Sequence, residues 1–150
     1  MTQEDKMLLI KDLASRLPYA VHVQHTSGFS GVLYDISMHH KYDKNDNIYD
    51  IICYTDFFGD GDSITIEHFK PYLFPLSNMT DEEKEELKQE HSKDEKLYAE
   101  CLTRAAKGDR TMRGKVIIHY AMDWCNKNHF DYRGLIEKGL AIDATGLNIY

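Results

Sequence analysis

The sequence lacks the features that exported, disulfide-bonded and membrane-spanning proteins need. Its 150 residues contain three cysteines, Cys53, Cys101 and Cys125, which lie far apart and show no Cys-x-x-Cys spacing. An odd number of such thiols is typical of the reducing cytoplasm, where their simplest role is that of small buried hydrophobic residues. No apolar run is long enough for a membrane span, and the first residues carry acids where a signal peptide needs bases. We therefore expect a cytoplasmic protein without membrane contact.

Motifs for catalysis and for cofactor binding are also missing. The chain has no Gly-x-Ser-x-Gly motif, no phosphate-binding glycine loop and no cysteine beside a general base. These absences predict no catalytic residue and no cofactor. The formal net charge of -7 disfavours a diffuse attraction to the phosphate backbone of nucleic acids, although it allows one local basic patch.

One loop begins like a calcium-binding loop. Asp43, Asn45 and Asn47 place oxygen atoms at positions 1, 3 and 5 of such a loop. The sixth position is Ile48 instead of glycine, and the twelfth is Tyr54 instead of the bidentate glutamate. This mismatch favours a polar turn over a calcium site.

Two further groups could hold a cation. Asp56, Asp60 and Asp62 cluster on a predicted turn, where a turn motif explains them as well as a weak cation site does. Among the eight histidines, His119 and its neighbour one helical turn later, Asp123, form the best metal-ligand pair. A solvated helix face explains this pair equally well, so we predict no metal site.

The first half of the chain predicts a helix followed by a small sheet. Thr2 and Asp5 resemble a capping box, and Met7, Ile10, Ala14 and Leu17 then recur as the apolar stripe of a helix that Pro18 ends. Strand-like runs follow at 20–26, 32–38, 48–57 and 64–67, with a polar loop at 39–47. We expect run 48–57 to be a central strand and run 20–26 an edge strand. Short connections predict an antiparallel meander or a small bent barrel of four strands.

The second half predicts helices. Residues 69–76 contain two prolines and enough apolar bulk to be strapped across the core. Thr80 and Glu83 resemble a second capping box, and residues 81–96 carry eight acids against four lysines, so a long charged helix is expected over 78–110. Apolar spacing predicts a helix from 111 to about 128, with Asn128 as its left-handed cap.

The chain should end in a short helix and a tail. Asp131 is placed to cap a helix over 132–138, and residues 140–150 carry no element signal. The fold class is therefore α+β, divided into a core at 1–77, a charged helix at 78–110 and a helical segment at 111–150, all within one structural domain.

A basic cluster precedes the last predicted long helix. It consists of Arg104, Lys107, Arg110, Arg113 and Lys115. Together with the free amides of a helix start, these side chains could hold a phosphate or a nucleic-acid backbone. Compensation of the acidic helix and its dipole is the simpler interpretation, and the net negative charge favours it.

Two stretches resemble a known group of proteins. They are FKPYLFPLSNMTDEEKEEL at 69–87 and NHFDYRGLIEKGLAI at 128–142. Both are similar to segments of short proteins that phages and integrated mobile elements encode in Gram-negative gut anaerobes. The resemblance implies a mobile-element protein of the bacterial cytoplasm. No activity is assigned to that family, so it implies no catalytic or binding residue.

These features together predict a non-catalytic interaction protein that binds a protein partner or associates with itself. Two alternatives stay open at this point. One is a nucleic-acid-associated accessory protein that uses the basic cluster. The other is a protein that binds a small ligand inside a bent sheet.

Overall fold

A computed structural model describes residues 1–42, 47–55, 63–91 and 112–150. These residues form three helices: α1 (Gln3–Arg16), α2 (Asp81–His91) and α3 (Met112–Lys127). They also form seven strands: β1 (His22–His25), β2 (Ser30–Tyr42), β3 (Asn47–Thr55), β4 (Ser63–Thr65), β5 (Phe69–Pro75), β6 (Phe130–Asp131) and β7 (Ile142–Asp143). The predicted α+β class and the predicted N-terminal helix are confirmed.

The sheet is larger than predicted and is mixed. Its order is β4-β3-β2-β1-β5-β6, and β7 also pairs with β5. Strands β1 to β4 are antiparallel neighbours in chain order, and β5 is antiparallel to β1. Strands β6 and β7 run parallel to β5. The four-stranded sheet of the prediction was too small, because strands of two residues leave almost no alternation to read in a sequence.

Strand β1 lies inside the sheet, so its prediction as an edge strand was wrong. It pairs with β2 along one edge and with β5 along the other. Val21 and Val23, which lie on one face of the run 20–26, are both fully buried. Strand β3 pairs with β2 and, at residues 52–54, with β4, as a central strand does.

Helix α1 begins as predicted, and its buried face overlaps the predicted stripe only in part, because Ile10 and Leu17 pack against the core. The Thr2 hydroxyl accepts a bond from the Asp5 amide, and the Asp5 carboxylate accepts one from the Thr2 amide. Met7, assigned to the apolar stripe, is 43% exposed. The face that meets the core instead carries two leucines and an ion pair: Leu9, Asp12, Leu13 and Arg16. Pairing with each other lets two charged residues occupy core positions that a hydropathy pattern assigns to apolar ones.

The proline-containing segment after β4 is a strand with neighbours, which corrects the prediction of a strap. Residues between its prolines make the ladder bonds: the Phe74 amide donates to the His129 carbonyl, and the Leu73 carbonyl accepts from the Ala144 amide. The prolines therefore remove few bonds from the sheet. The predicted β4 run is shorter than expected, since the chain enters a 3-10 turn at Ile66–His68. Ile66 is nevertheless buried in the core.

A second cluster of buried side chains lies between α2 and α3. Leu87 from α2 is fully buried there, with Trp124 stacked on Phe130 at a centroid distance of 5.6 Å. The predicted capping box of α2 is confirmed by reciprocal bonds between Thr80 and Glu83. Residues 92–111 lie outside the described residues, so the length of the charged helix stays a prediction. None of the helices in the described ranges is long and apolar enough to cross a membrane.

The C-terminal segment is more ordered than its sequence predicts. The left-handed residue after α3 is His129, with φ of 59°, and not Asn128. The Asp131 carboxylate accepts bonds from the amides of Leu135 and Ile136, but residues 132–138 form turns and no helix. Residues 140–150 are no free tail, because they contain β7 and bury Ala144 in the protein.

Candidate interaction surface

Strands β2 and β3 pair far beyond the strands that flank them. Their register runs on from Ser37 opposite Ile52 through five more pairs, the last being Tyr42 opposite Asn47. We call residues 38–42 and 47–51 the hairpin arm. At about 3.4 Å per residue, the arm is about 17 Å long.

Neither flanking strand reaches the arm. Strand β1 pairs with β2 only at residues 30–32, with one further bond from the Leu33 amide to the Val21 carbonyl. Strand β4 pairs with β3 only at residues 52–54. Among the strands that the structure describes, none pairs with the outer edge of either arm strand. The arm is thus a two-stranded ribbon with two open edges in the described part of the chain.

The base of the arm is tied to the core on one face and carries aromatic rings on the other. Cys53 is fully buried, and Ile36, which pairs with it, packs against the core cluster. A register shift at Tyr34 inserts one extra residue into β2, a β-bulge, and the Tyr34 side chain is 54% exposed. Its ring lies 6.3 Å from that of Tyr54. The bulge therefore marks the point where the strand leaves the body of the sheet.

The prediction of a polar loop over 39–47 was wrong for most of its length. Strand β2 continues to Tyr42 and β3 begins at Asn47, and residues 43–46 lie outside the described residues. A signal was present, because Ile36, Met38, His40 and Tyr42 continue the alternation of the strand. Two adjacent histidines and a lysine obscured it, since polar residues on both faces resemble a loop.

The sequence offered three candidate cation groups without predicting a metal site, and most of their residues lie outside the described part of the chain. Asp43, Asn45 and the Asp56, Asp60, Asp62 group lie outside the described residues. In the described ranges no group of three His, Cys, Asp or Glu side chains is arranged to hold a metal ion. Asp123 accepts a hydrogen bond from the Tyr19 hydroxyl at 2.6 Å, which raises the pKa of Tyr19. This bond gives Asp123 a structural role between α3 and the turn after α1, and His119 lies one turn earlier in the same helix.

The basic cluster is only partly described. Arg104, Lys107 and Arg110 lie outside the described residues, whereas Arg113 and Lys115 fall in the first turn of α3. Nucleic-acid binding by this cluster therefore stays a prediction.

A second group of side chains, which the sequence did not indicate, surrounds Tyr150. Its hydroxyl donates to the Tyr72 carbonyl at 2.8 Å and accepts from the His22 amide at 3.2 Å, so it bridges β5 and β1 just beyond their last paired residues. Its ring stacks on His129 at a centroid distance of 3.6 Å. Burial, together with the charge of Arg16, lowers the pKa of His129 to about 4. The hydroxyl of Tyr150 thus joins β5 to β1, and burial keeps the His129 imidazole neutral.

Two cavities adjoin β5. One, of about 240 Å³, lies beside the start of α2 and is lined by two phenylalanine rings, Phe74 and Phe130, and by Glu83. The other, of about 310 Å³, lies between β1, β5 and β7 beside His25 and Lys70. Pockets for small ligands usually measure about 300–1,000 Å³. These two cavities are therefore at or below the lower limit, and small-ligand binding inside a bent sheet stays a prediction.

The described residues thus define an α+β protein whose distinctive feature is an extended two-stranded arm. Comparison with protein-family models, with curated proteins and with solved structures finds no match to this chain.

Proposed function

We propose that this protein is a non-catalytic interaction protein, which binds a protein partner or a second copy of itself through the hairpin arm. The observation that supports this function is the register of β2 with β3, which continues for five pairs past the reach of β1 and β4. Each arm strand has backbone N–H and C=O groups at its outer edge, with which no other described strand pairs.

An arm of this kind gains stability from a partner. A two-stranded ribbon is at best marginally stable in water, and a third strand or a covering element stabilises it. A partner strand that pairs with the open edge satisfies backbone groups, while side chains at alternate positions determine which partner fits.

The sequence of the arm does little to prevent such pairing. Natural sheets protect exposed edges with prolines, bulges or several charges. The ten residues of the arm contain no proline and two charged residues, Lys41 and Asp50. Half of the ten are apolar or aromatic: Met38, Tyr42, Ile48, Tyr49 and Ile51. This composition is typical of a strand that another chain covers.

The proposed function also includes a role in a mobile element and a second binding surface on the charged segment 78–110. The resemblance of 69–87 and 128–142 to proteins of phages and mobile elements supports a role in such an element within the bacterial cytoplasm. The charged segment 78–110 would continue α2 as a long helix. Leu87 anchors its beginning to α3, and its acidic residues would form a second surface for a partner.

Proline substitutions in the arm test the proposal. Consecutive N–H groups of a strand point to opposite edges, so one of His40 and Lys41 donates at the outer edge of the arm and the other donates within the β2–β3 ladder. Of the variants His40→Pro and Lys41→Pro, one therefore removes a donor from the outer edge and leaves the ladder intact. Affinity capture from host lysate and light scattering on the pure protein would compare both variants with the wild type.

We expect one of the two variants to lose its partner, or its self-association, while its circular dichroism spectrum stays unchanged. Glu137→Lys, at an exposed position outside both proposed binding surfaces, is the control and should behave as the wild type does. If both proline variants fold and keep the captured proteins and the molar mass of the wild type, the arm is not the binding surface.

A further inference from the structure

The cavity beside the start of α2 has the size of a single large apolar side chain. Its volume is about 240 Å³. An engineered protein cavity of roughly 150 Å³ holds a benzene ring. The wall of the cavity includes Phe74 and Phe130, whose ring centroids lie 6.1 Å apart, and Trp124 stacks on Phe130. Because these rings hold one another in place, the apolar wall is formed in advance and binding need not order it.

The polar groups at the rim of this cavity are bonded to one another. The Asn78 side-chain amide donates to the Thr145 hydroxyl, which donates to Asp143. On the α2 side, Thr80 and Glu83 exchange the two bonds of the capping box. Since these groups already have partners, a ligand in the cavity gains mainly from apolar contact.

Carboxylates lie beside the cavity and make its surroundings negative. Asp81, Glu82 and Glu83 occupy the first turn of α2, and Asp143 is bonded to the rim. Lys84 pairs with Asp81 at 2.8 Å and offsets its charge. The dipole of α2 adds the equivalent of about half a positive charge, which the remaining carboxylates exceed. Positive charge in a ligand is therefore favoured beside the apolar wall.

We infer that this cavity binds a segment of a partner protein in which one large apolar side chain is flanked by lysine or arginine. The apolar side chain packs against Phe74 and Phe130, and the flanking cations face the carboxylates. Leu76 and Leu147, which are 39% and 45% exposed, lie within two residues of the rim in the chain, so the same segment can cover them. This inference rests on the proposed interaction function and adds to it a second contact with a stated chemistry.

Short peptides test the chemistry of the ligand. The probe is Lys-Lys-Phe-Lys-Lys, blocked at both ends and titrated into the full isotope-labelled chain by NMR. One control, Lys-Lys-Ser-Lys-Lys, lacks the apolar side chain, and the other, Glu-Glu-Phe-Glu-Glu, carries the opposite charge. We expect the probe to bind at least about tenfold more tightly than either control at low salt, since burial of the ring and attraction of the cations both contribute. Equal affinity of the probe and either control would overturn the inference.

Two substitutions of Asn78 test the location of the site. Asn78→Trp fills the cavity with an indole ring, whereas Asn78→Ala removes the same bond to Thr145 and leaves the cavity open. We expect Asn78→Trp to weaken binding of the probe at least about tenfold and Asn78→Ala to stay within about threefold of the wild type. Thermal melts establish that each variant folds. Equal affinity of the two variants would place the peptide elsewhere and overturn the inference.

A charge reversal tests the role of the carboxylates without changing the cavity. Glu82 is exposed in the first turn of α2, and Glu137 is exposed outside the residues that line the cavity. We expect Glu82→Lys to weaken binding of the probe about fivefold at low salt and less at high salt, and Glu137→Lys to leave it unchanged. Equal effects of the two reversals would contradict a specific role for the acidic turn.

The outcomes separate this inference from the proposed function. A protein that captures its partner through the arm and binds the probe no better than the controls would overturn the inference and leave the proposed function standing. A protein that binds the probe as expected, while both proline variants keep every captured partner, would overturn the arm and retain the inference. If the wild type self-associates and Asn78→Trp lowers its molar mass, the occupant is a second copy, and the inference of a basic partner segment is overturned.

Discussion

Replacing Arg16 by methionine removes the cation from a buried ion pair. The Arg16 and Asp12 side chains have no exposed surface, and Arg16 Nε lies 2.7 Å from Asp12 Oδ2. The guanidinium also donates to the Phe130 carbonyl at 2.8 Å and to the Cys125 carbonyl at 3.4 Å. Because Cys125 lies in the last turn of α3, this contact ties α1 to the end of that helix.

The variant leaves the Asp12 carboxylate buried without its main partner. Breaking a buried pair in this way costs about 3–5 kcal/mol of the free energy of unfolding. Arg133 Nε, 3.3 Å from Asp12 Oδ1, stays beside the carboxylate, so we expect a value near the lower limit, about 3 kcal/mol. For a chain of this size the melting temperature should fall by about 6–12 °C.

Urea denaturation of two further variants tests whether the unpaired Asp12 carboxylate causes the loss of stability in Arg16→Met. The double variant Asp12→Leu with Arg16→Met removes both charges and should recover at least half of the lost free energy, because apolar residues often replace a buried pair at little cost. Lys84→Met, which breaks the exposed pair of Lys84 with Asp81, should leave the midpoint unchanged. A loss below about 1 kcal/mol for Arg16→Met, or a larger loss for the double variant, would refute this account.

Three other predictions follow from buried groups. The pKa of His129 in the fold, about 4, is below its ordinary value of 6.5, so its contribution to stability is complete above pH 6.5 and is lost as the pH falls towards 4. In a pH series of urea melts, His129→Asn, which suits the left-handed backbone, should abolish that part of the pH dependence; an unchanged profile would contradict the assignment. Leu87→Ala should cost about 2–4 kcal/mol in the same assay, because it empties the contact between α2 and α3, and a negligible loss would show that α2 is not anchored there. Burial raises the pKa of the Cys53 thiol to about 12 and that of Cys125 to about 11, so in a Cys101→Ser background neither should react with a thiol reagent at neutral pH until urea unfolds the protein. Rapid labelling of the native protein would show that one of them is accessible.

Features that depend on a few adjacent residues were predictable. The capping boxes at Thr2 and Thr80 were confirmed, because each needs only a hydroxyl and a carboxylate three residues apart. The end of α1 before Pro18 and the extent of α3 were also predictable, since a proline and an apolar periodicity act within one element.

Features that depend on distant partners were not predictable. The buried face of α1 was predicted only in part, because Asp12 and Arg16 offset each other's charge inside the core, and a hydropathy pattern counts each as a surface residue. The segment 69–76 was taken for a strap because its prolines weaken any strand signal. It forms β5 because carbonyl and amide groups of the C-terminal segment complete its hydrogen bonds.

The hairpin arm was also predictable only in part. Alternation from Ile36 to Tyr42 is visible in the sequence. That β1 and β4 stop short of the arm, so that none of the described strands pairs with its outer edges, is visible only in the fold.

The sequence by itself determined the α+β class, the helix starts and the alternating faces of the main strands, because local sterics, caps and periodicity act between near neighbours. The tertiary structure alone decided which strands lie inside the sheet, which charges are buried together and how far β1 and β4 extend along their neighbours. Each of these depends on backbone and side-chain groups that are far apart in the chain and meet only when it folds.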